Sequence, residues 1–159
     1  MAFHQRKVMN IHSSIEDTNM LQRDYIMRLV REFAEALELV LRDRDTDKRR
    51  DELRHLYEQY VGPYDFYSTA AIEDVMASFE QVKPEERMER MEMLADLYYA
   101  EADTISGPIR HMLMEKAFRL FCFIDAHSRT FSLLRQAKIA DLRGRMSQQA
   151  SSSHNQGTR

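Results

Sequence analysis

Apolar side chains recur along this chain at three- and four-residue steps, and no strand-like alternation interrupts them. The clearest run is DYIMRLVREFAEALELVL, Asp24 to Leu41. Ile26, Leu29, Val30, Phe33, Leu37, Val40 and Leu41 fall on one stripe of a helix, because side chains three or four apart share a face. Arg28, Arg31, Glu32, Glu35 and Glu38 lie off the stripe. The pattern predicts a first helix from about Met20 to Leu41. Residues 1–19 carry no sustained period and are expected to form an N-terminal arm or a short separate helix.

Asp45 or Thr46 is placed to cap a second helix by accepting from its first free N–H groups. Leu53, Leu56, Tyr57 and Tyr60 form its inner face, and Gly62-Pro63 ends it. Tyr64 to Tyr67 then read as an aromatic connection. Ser68 or Thr69 is expected to cap a short helix to about Glu80, with Ile72, Val75, Met76 and Phe79 inward. Lys83-Pro84-Glu85-Glu86 opens the next helix, with proline at its first position and carboxylates at the positive end of the dipole. It is expected to reach Asp103 and to bury Met91, Leu94, Ala95, Tyr98 and Ala102. Ser106-Gly107-Pro108 starts another, with Ile109, Leu113, Ala117, Leu120, Phe121 and Ile124 inward. After a break at Asp125 to Ser128, a last helix runs from about Arg129 to Met146. The tail from residue 147 to 159 has little apolar content and is expected to be disordered.

The expected fold is therefore all-α: one domain over residues 20–146, built of five to six helices in antiparallel hairpins. LADLYY and EKAFRLFCFID each carry a small residue, Ala95 and Ala117, where two helix axes could approach closely. This pair resembles one tetratricopeptide helix pair, which implies a right-handed array of hairpins. The connection TISGP is longer than in that repeat, the tryptophan position is not filled, and no self-similarity of about 34 residues recurs elsewhere.

A second resemblance lies at the two ends of the predicted domain. Tyr25, Ile26, Met27, Arg28 and Phe33, with Thr130, Phe131, Ser132 and Arg135, look like a group of uncharacterised bacterial helical proteins. The resemblance implies a bacterial source and a tetratricopeptide-like fold. That group carries no established activity, so it brings no site residues.

At 159 residues and 43% hydrophobic, the chain is large enough to bury a core. A membrane span needs roughly 18 consecutive apolar residues, and no run here approaches that. The opening MAFHQRKVMNIHSS lacks the hydrophobic run of a secretory signal. A single cysteine, Cys122, excludes an internal disulfide, and its setting in FRLFCFI predicts a buried, inert thiol. A cytoplasmic location is expected. Net charge is −3, unevenly spread. Asp65 to Asp103 hold 11 acidic and 3 basic side chains, whereas His127 to Arg159 hold 1 acidic and 6 basic. Such opposite blocks most simply neutralise one another across a bundle.

Chemistry is sparse. Glu52 and His55 share a helix face, as in one half of a di-iron site, but no second Glu-x-x-His supplies the other half. His111 and Glu115 invite the same reading with no more support. The four glycines, Gly62, Gly107, Gly144 and Gly157, form no nucleophile elbow or phosphate loop. Neither an enzyme nor a cofactor is expected. Arg129, Arg135, Lys138, Arg143 and Arg145 make the last helix basic enough to meet phosphate, yet no stacking aromatics or helix-turn-helix accompany them, so nucleic-acid binding ranks below other roles.

Eleven methionines remain, with Met88, Met91, Met93, Met112 and Met114 around one predicted hairpin. Met93 and Met114 fall off the inner stripes. With Tyr64 and Phe66 they are the candidate groove for a protein or peptide partner, or for a second copy of the chain. The expected role is a non-enzymatic interaction or scaffold module; a metal-binding or enzymatic bundle using Glu52 and His55 is the alternative.

Overall fold

No glycine or proline precedes Gly62, and the first helix of the computed structural model, α1, runs without a break from Ala2 to Arg42. The structure describes the backbone of residues 2–154 and the side chains of residues 13–152. It follows with α2 (Thr46–Tyr60), α3 (Tyr64–Thr69), α4 (Ile72–Ser78), α5 (Pro84–Glu101), α6 (Gly107–His127) and α7 (Leu133–His154). Short 3-10 turns at Phe79–Gln81 and Ala102–Thr104 extend α4 and α5. The described residues are all-helical, seven helices in place of the expected five to six. None of them is long and apolar enough to cross a membrane.

Local chemistry accounts for the boundaries. The Asp45 carboxylate accepts from the N–H groups of Asp47 and Lys48, at 3.0 and 3.1 Å, and so caps α2. At the other end the Gly62 N–H donates to the Tyr57 carbonyl at 2.8 Å. Gly62 has φ +150°, and a Cβ there would sit 3.1 Å from the Tyr67 ring. Both the backbone angle and the close approach favour glycine. Pro84 occupies the first turn of α5, followed by Glu85 and Glu86.

Six local expectations need correction. Residues 2–19 do not form a separate element; they continue α1, since nothing in their sequence breaks a helix. Tyr64 to Tyr67 are helical, and Ser68 and Thr69 close α3 by donating back to the Asp65 carbonyl. Neither caps α4, which starts after Ala71 with no side-chain cap. Leu41 and Ile109 face solvent because each lies off its helix's packed face. The last helix begins at Leu133, with Ser132 Oγ accepting from the Arg135 N–H at 3.2 Å. It extends through residues 147–154, where a disordered tail was expected; residues 155–159 lie outside the described residues.

One hydrophobic core joins the helices. α5 is its centre and packs against α1, α2 and α6, while α7 packs on α6. Met91, Leu94, Ala95, Tyr98 and Ala102 are buried as expected, but so are Met93, Leu97 and Ala100. A helix touched from several sides has little outer face.

On α7, Gly144 has open space around the position of a Cβ, with nothing within 4 Å. Gly144→Ala should therefore raise the unfolding free energy by about 0.5–1 kcal/mol through helix propensity alone. Urea titration of both proteins checks this.

Candidate functional site

The interior holds a polar centre that apolar periodicity does not reveal. Glu101, at the end of α5, is buried and accepts from Tyr57 Oη at 2.7 Å and from Tyr64 Oη at 2.5 Å. Tyr98 Oη donates to the Tyr67 carbonyl at 2.6 Å. Lys116 of α6 is also buried; its Nζ donates to the Tyr67 carbonyl at 3.2 Å and lies 5.3 Å from the centre of the Tyr98 ring. Its second acceptor is the Ser68 carbonyl at 3.5 Å, so the ammonium closes the end of α3. Arg50 donates to the Thr104 carbonyl just beyond. Burial lowers the Lys116 pKa, and Glu101 partly opposes that shift. Burial, with the neighbouring Glu101 carboxylate, raises Tyr57 well above its ordinary value and Tyr64 to about 12.

A second polar seam joins α5 and α6 to α7. The Arg135 side chain is 1% exposed. Its Nη1 meets Glu92 at 3.0 Å, its Nε meets Asp125 at 3.3 Å, and its Nη2 donates to the Thr130 carbonyl at 2.6 Å. Lys138 meets Asp96 at 2.5 Å, and Arg145 meets Asp103 at 2.6 Å. Burial pushes the Asp96 carboxyl up even though Lys138 pulls it down. The acidic block around α5 and the basic last helix thus pair within one molecule. Arg135 and Lys138, the residues that would hold phosphate, are already engaged.

The remaining sequence candidates scatter. Met93 and Met114 are 2% and 1% exposed, so they belong to the core and do not line an open partner groove. They look off-stripe because α5 and α6 each have neighbours on more than one side. Tyr64 is half-buried and bonded to Glu101. Phe66 is the one exposed member of the four and stands edge-on to Tyr67. Glu52 and His55 are exposed. His111 Nδ1 sits 3.1 Å from Gln149 Oε1. Among the described residues no three His, Cys, Asp or Glu side chains gather as a metal site would need. Cys122 is half-buried, and burial raises its thiol pKa, in keeping with a thiol of low reactivity.

What the sequence reading missed is on the surface of α1. Every side chain from Ser13 to Tyr25 is exposed, apart from half-buried Gln22. They include Ile15, Met20, Leu21 and Tyr25, with Leu21 71% exposed. Beside this stretch lies a groove of about 590 Å³ whose lining includes Leu21, Tyr25, Val82, Lys83, Glu86 and Arg90. The available signal is the position of Ile15, eleven residues or about three turns before Ile26, which continues the inward stripe past the end of the core. Phe131, Leu133 and Leu134 form a smaller exposed group ahead of and within the first turn of α7.

No family model matches this chain, and no curated protein or solved structure matches it either.

The tyrosine centre makes stability fall at alkaline pH. An unfolded tyrosine loses its proton near pH 10, whereas Tyr64 holds it to about 12 in the folded state. The contribution is therefore full below pH 10 and lost as pH rises towards 12. Absorbance at 295 nm should show Tyr57 and Tyr64 protonated at pH 11 in the folded chain, and the urea midpoint should fall across that window. Tyr64→Phe should flatten the fall. Ionisation of all seven tyrosines near pH 10 with the helices intact would contradict this.

Proposed function

We propose that this chain is a non-enzymatic protein–protein interaction or scaffold module, a cytoplasmic bacterial protein with tetratricopeptide-like hairpin packing. The fold part of the reading is supported by α5 and α6, which follow one another through a short connection and pack together. Ala95 and Ala117 are both fully buried, in keeping with close approach of their helices. The functional part is supported by a contrast between inside and outside. The buried polar side chains Glu86, Glu101, Lys116 and Arg135 are bonded to the protein's own groups. The apolar side chains of α1 from Ile15 to Tyr25 have no such partners. Those uncovered apolar side chains are the single observation that carries the reading, since exposed apolar patches commonly mark interaction sites.

The double change Leu21→Ser, Tyr25→Ser tests it on the full chain. Both positions are exposed, so unfolding free energy should move by no more than about 0.5 kcal/mol per site. Association should be lost, whether read as self-association by light scattering or as capture of another bacterial protein by the tagged chain. If the unaltered chain associates with nothing, or the double variant associates as well as it does, the reading fails.

A further inference from the structure

Lys116 is 4% exposed, and a buried charge is costly unless it is paired. Both hydrogen bonds of its Nζ go to neutral acceptors, the Tyr67 carbonyl at 3.2 Å and the Ser68 carbonyl at 3.5 Å. The Glu101 carboxylate, the nearest source of compensation, is taken by the hydroxyls of Tyr57 and Tyr64. An ammonium has three N–H groups to place, whereas the amine has two. The amine therefore serves both carbonyls, gives up no bond with its third proton and gains a lone pair. Burial favours that form by lowering the Lys116 pKa.

The same side chain lines a cavity of about 280 Å³ between α6 and the connection from α3 to α4. This is close to the lower end, roughly 300 Å³, of sites that take small molecules. Ala70, Ala71 and Ile72 form one wall and Met112 part of the other, so most of the lining is apolar. Thr69 also lines it, but its hydroxyl is committed to the Asp65 carbonyl at 2.6 Å. Glu115, an exposed side chain, is the acid of the lining.

We propose that Lys116 is an attachment point for a small apolar aldehyde, which enters this cavity and forms an imine with Nζ. The proposal stands apart from the interaction-module reading and requires no association. The Nζ lone pair bonds to the carbonyl carbon, and the C=O π pair moves to oxygen. Glu115 takes one proton from the nitrogen and returns it to that oxygen. The second N–H proton follows as the C=N bond closes, and the oxygen leaves as water. No oxidant or reductant takes part. The apolar walls select a short hydrocarbon chain, and the negative charge of Glu115 repels a carboxylate on the ligand.

Competitive reductive alkylation of the full chain with hexanal and cyanoborohydride, read at low conversion by peptide mass mapping, tests this. Exposed Lys83 is the internal reference. At neutral pH Lys116 should be alkylated about tenfold ahead of Lys83, since each unit by which an amine pKa falls raises its reactive fraction tenfold. Its rate should saturate with hexanal, as filling of a cavity requires, while that of Lys83 rises linearly. Glyoxylate, an aldehyde that carries a carboxylate, should show no preference for Lys116. Glu115→Gln should slow alkylation of Lys116 several-fold and leave Lys83 unchanged. Alkylation of Lys116 behind Lys83, the order that burial alone dictates, overturns the proposal. So does a Lys116 rate linear in hexanal, an equal preference with glyoxylate, or a Glu115→Gln chain that reacts as the parent does. None of these readouts depends on binding to another protein, so failure here leaves the interaction-module reading untouched.

Discussion

α5 is surrounded by neighbours on most of its circumference and still carries acidic side chains along its length. An uncompensated buried carboxylate is costly, so each of these groups dictates what must lie beside it. Glu86 takes Arg90 from its own helix. Glu92 and Asp96 draw Arg135 and Lys138 from α7. Glu101 takes the hydroxyls of Tyr57 in α2 and Tyr64 in α3. Apolar burial brings the helices together, but it is non-directional; these charge-assisted contacts fix which residue of each neighbour stands at which level of α5.

Much of the architecture was legible in the apolar period. The stripes of α1, α2, α5 and α6 contain Phe33, Leu53, Leu94 and Leu120, all of which are buried. The cap at Asp45, the stop at Gly62-Pro63 and the start at Pro84 follow from side-chain and backbone chemistry that acts within a few residues. Neutralisation of the acidic block by the basic helix was likewise readable from charge alone. Long-range pairing was not. No local rule tells that Lys116 bonds the end of α3, or that Arg135 is buried rather than solvated. Met93 and Met114 were placed at a groove because periodicity assumes one buried face per helix, and α5 and α6 have more than one. The overhang of α1 escaped notice for the opposite reason: Ile15 continues the core stripe where the core has ended, and a weak period bounded by polar residues reads as an arm.

The polar interior and the bare overhang together set the functional reading. Tyr57, Tyr98, Lys116 and Arg135 are buried, and their polar atoms are bonded to the protein's own carbonyls and carboxylates. Within the fold their role is positional. Uncommitted apolar side chains lie on α1, where Leu21 and Tyr25 line a groove with Lys83, Glu86 and Arg90, and in a smaller group at the start of α7. A module whose interior is tied shut and whose first helix reaches beyond its core is suited to holding another chain.

Ionic contacts to α5 and its surroundings, rather than apolar packing alone, hold the last helix in place. Arg135→Met tests it most directly, because methionine keeps the packing volume and removes the charge that Glu92, Asp125 and the Thr130 carbonyl share. Urea unfolding combined with hydrogen exchange is the measurement. The account predicts a loss of about 3 kcal/mol, with amides of α7 exchanging early while those of α5 stay protected. A methionine variant as stable as the parent, with α7 equally protected, would show that apolar packing suffices and would contradict the account.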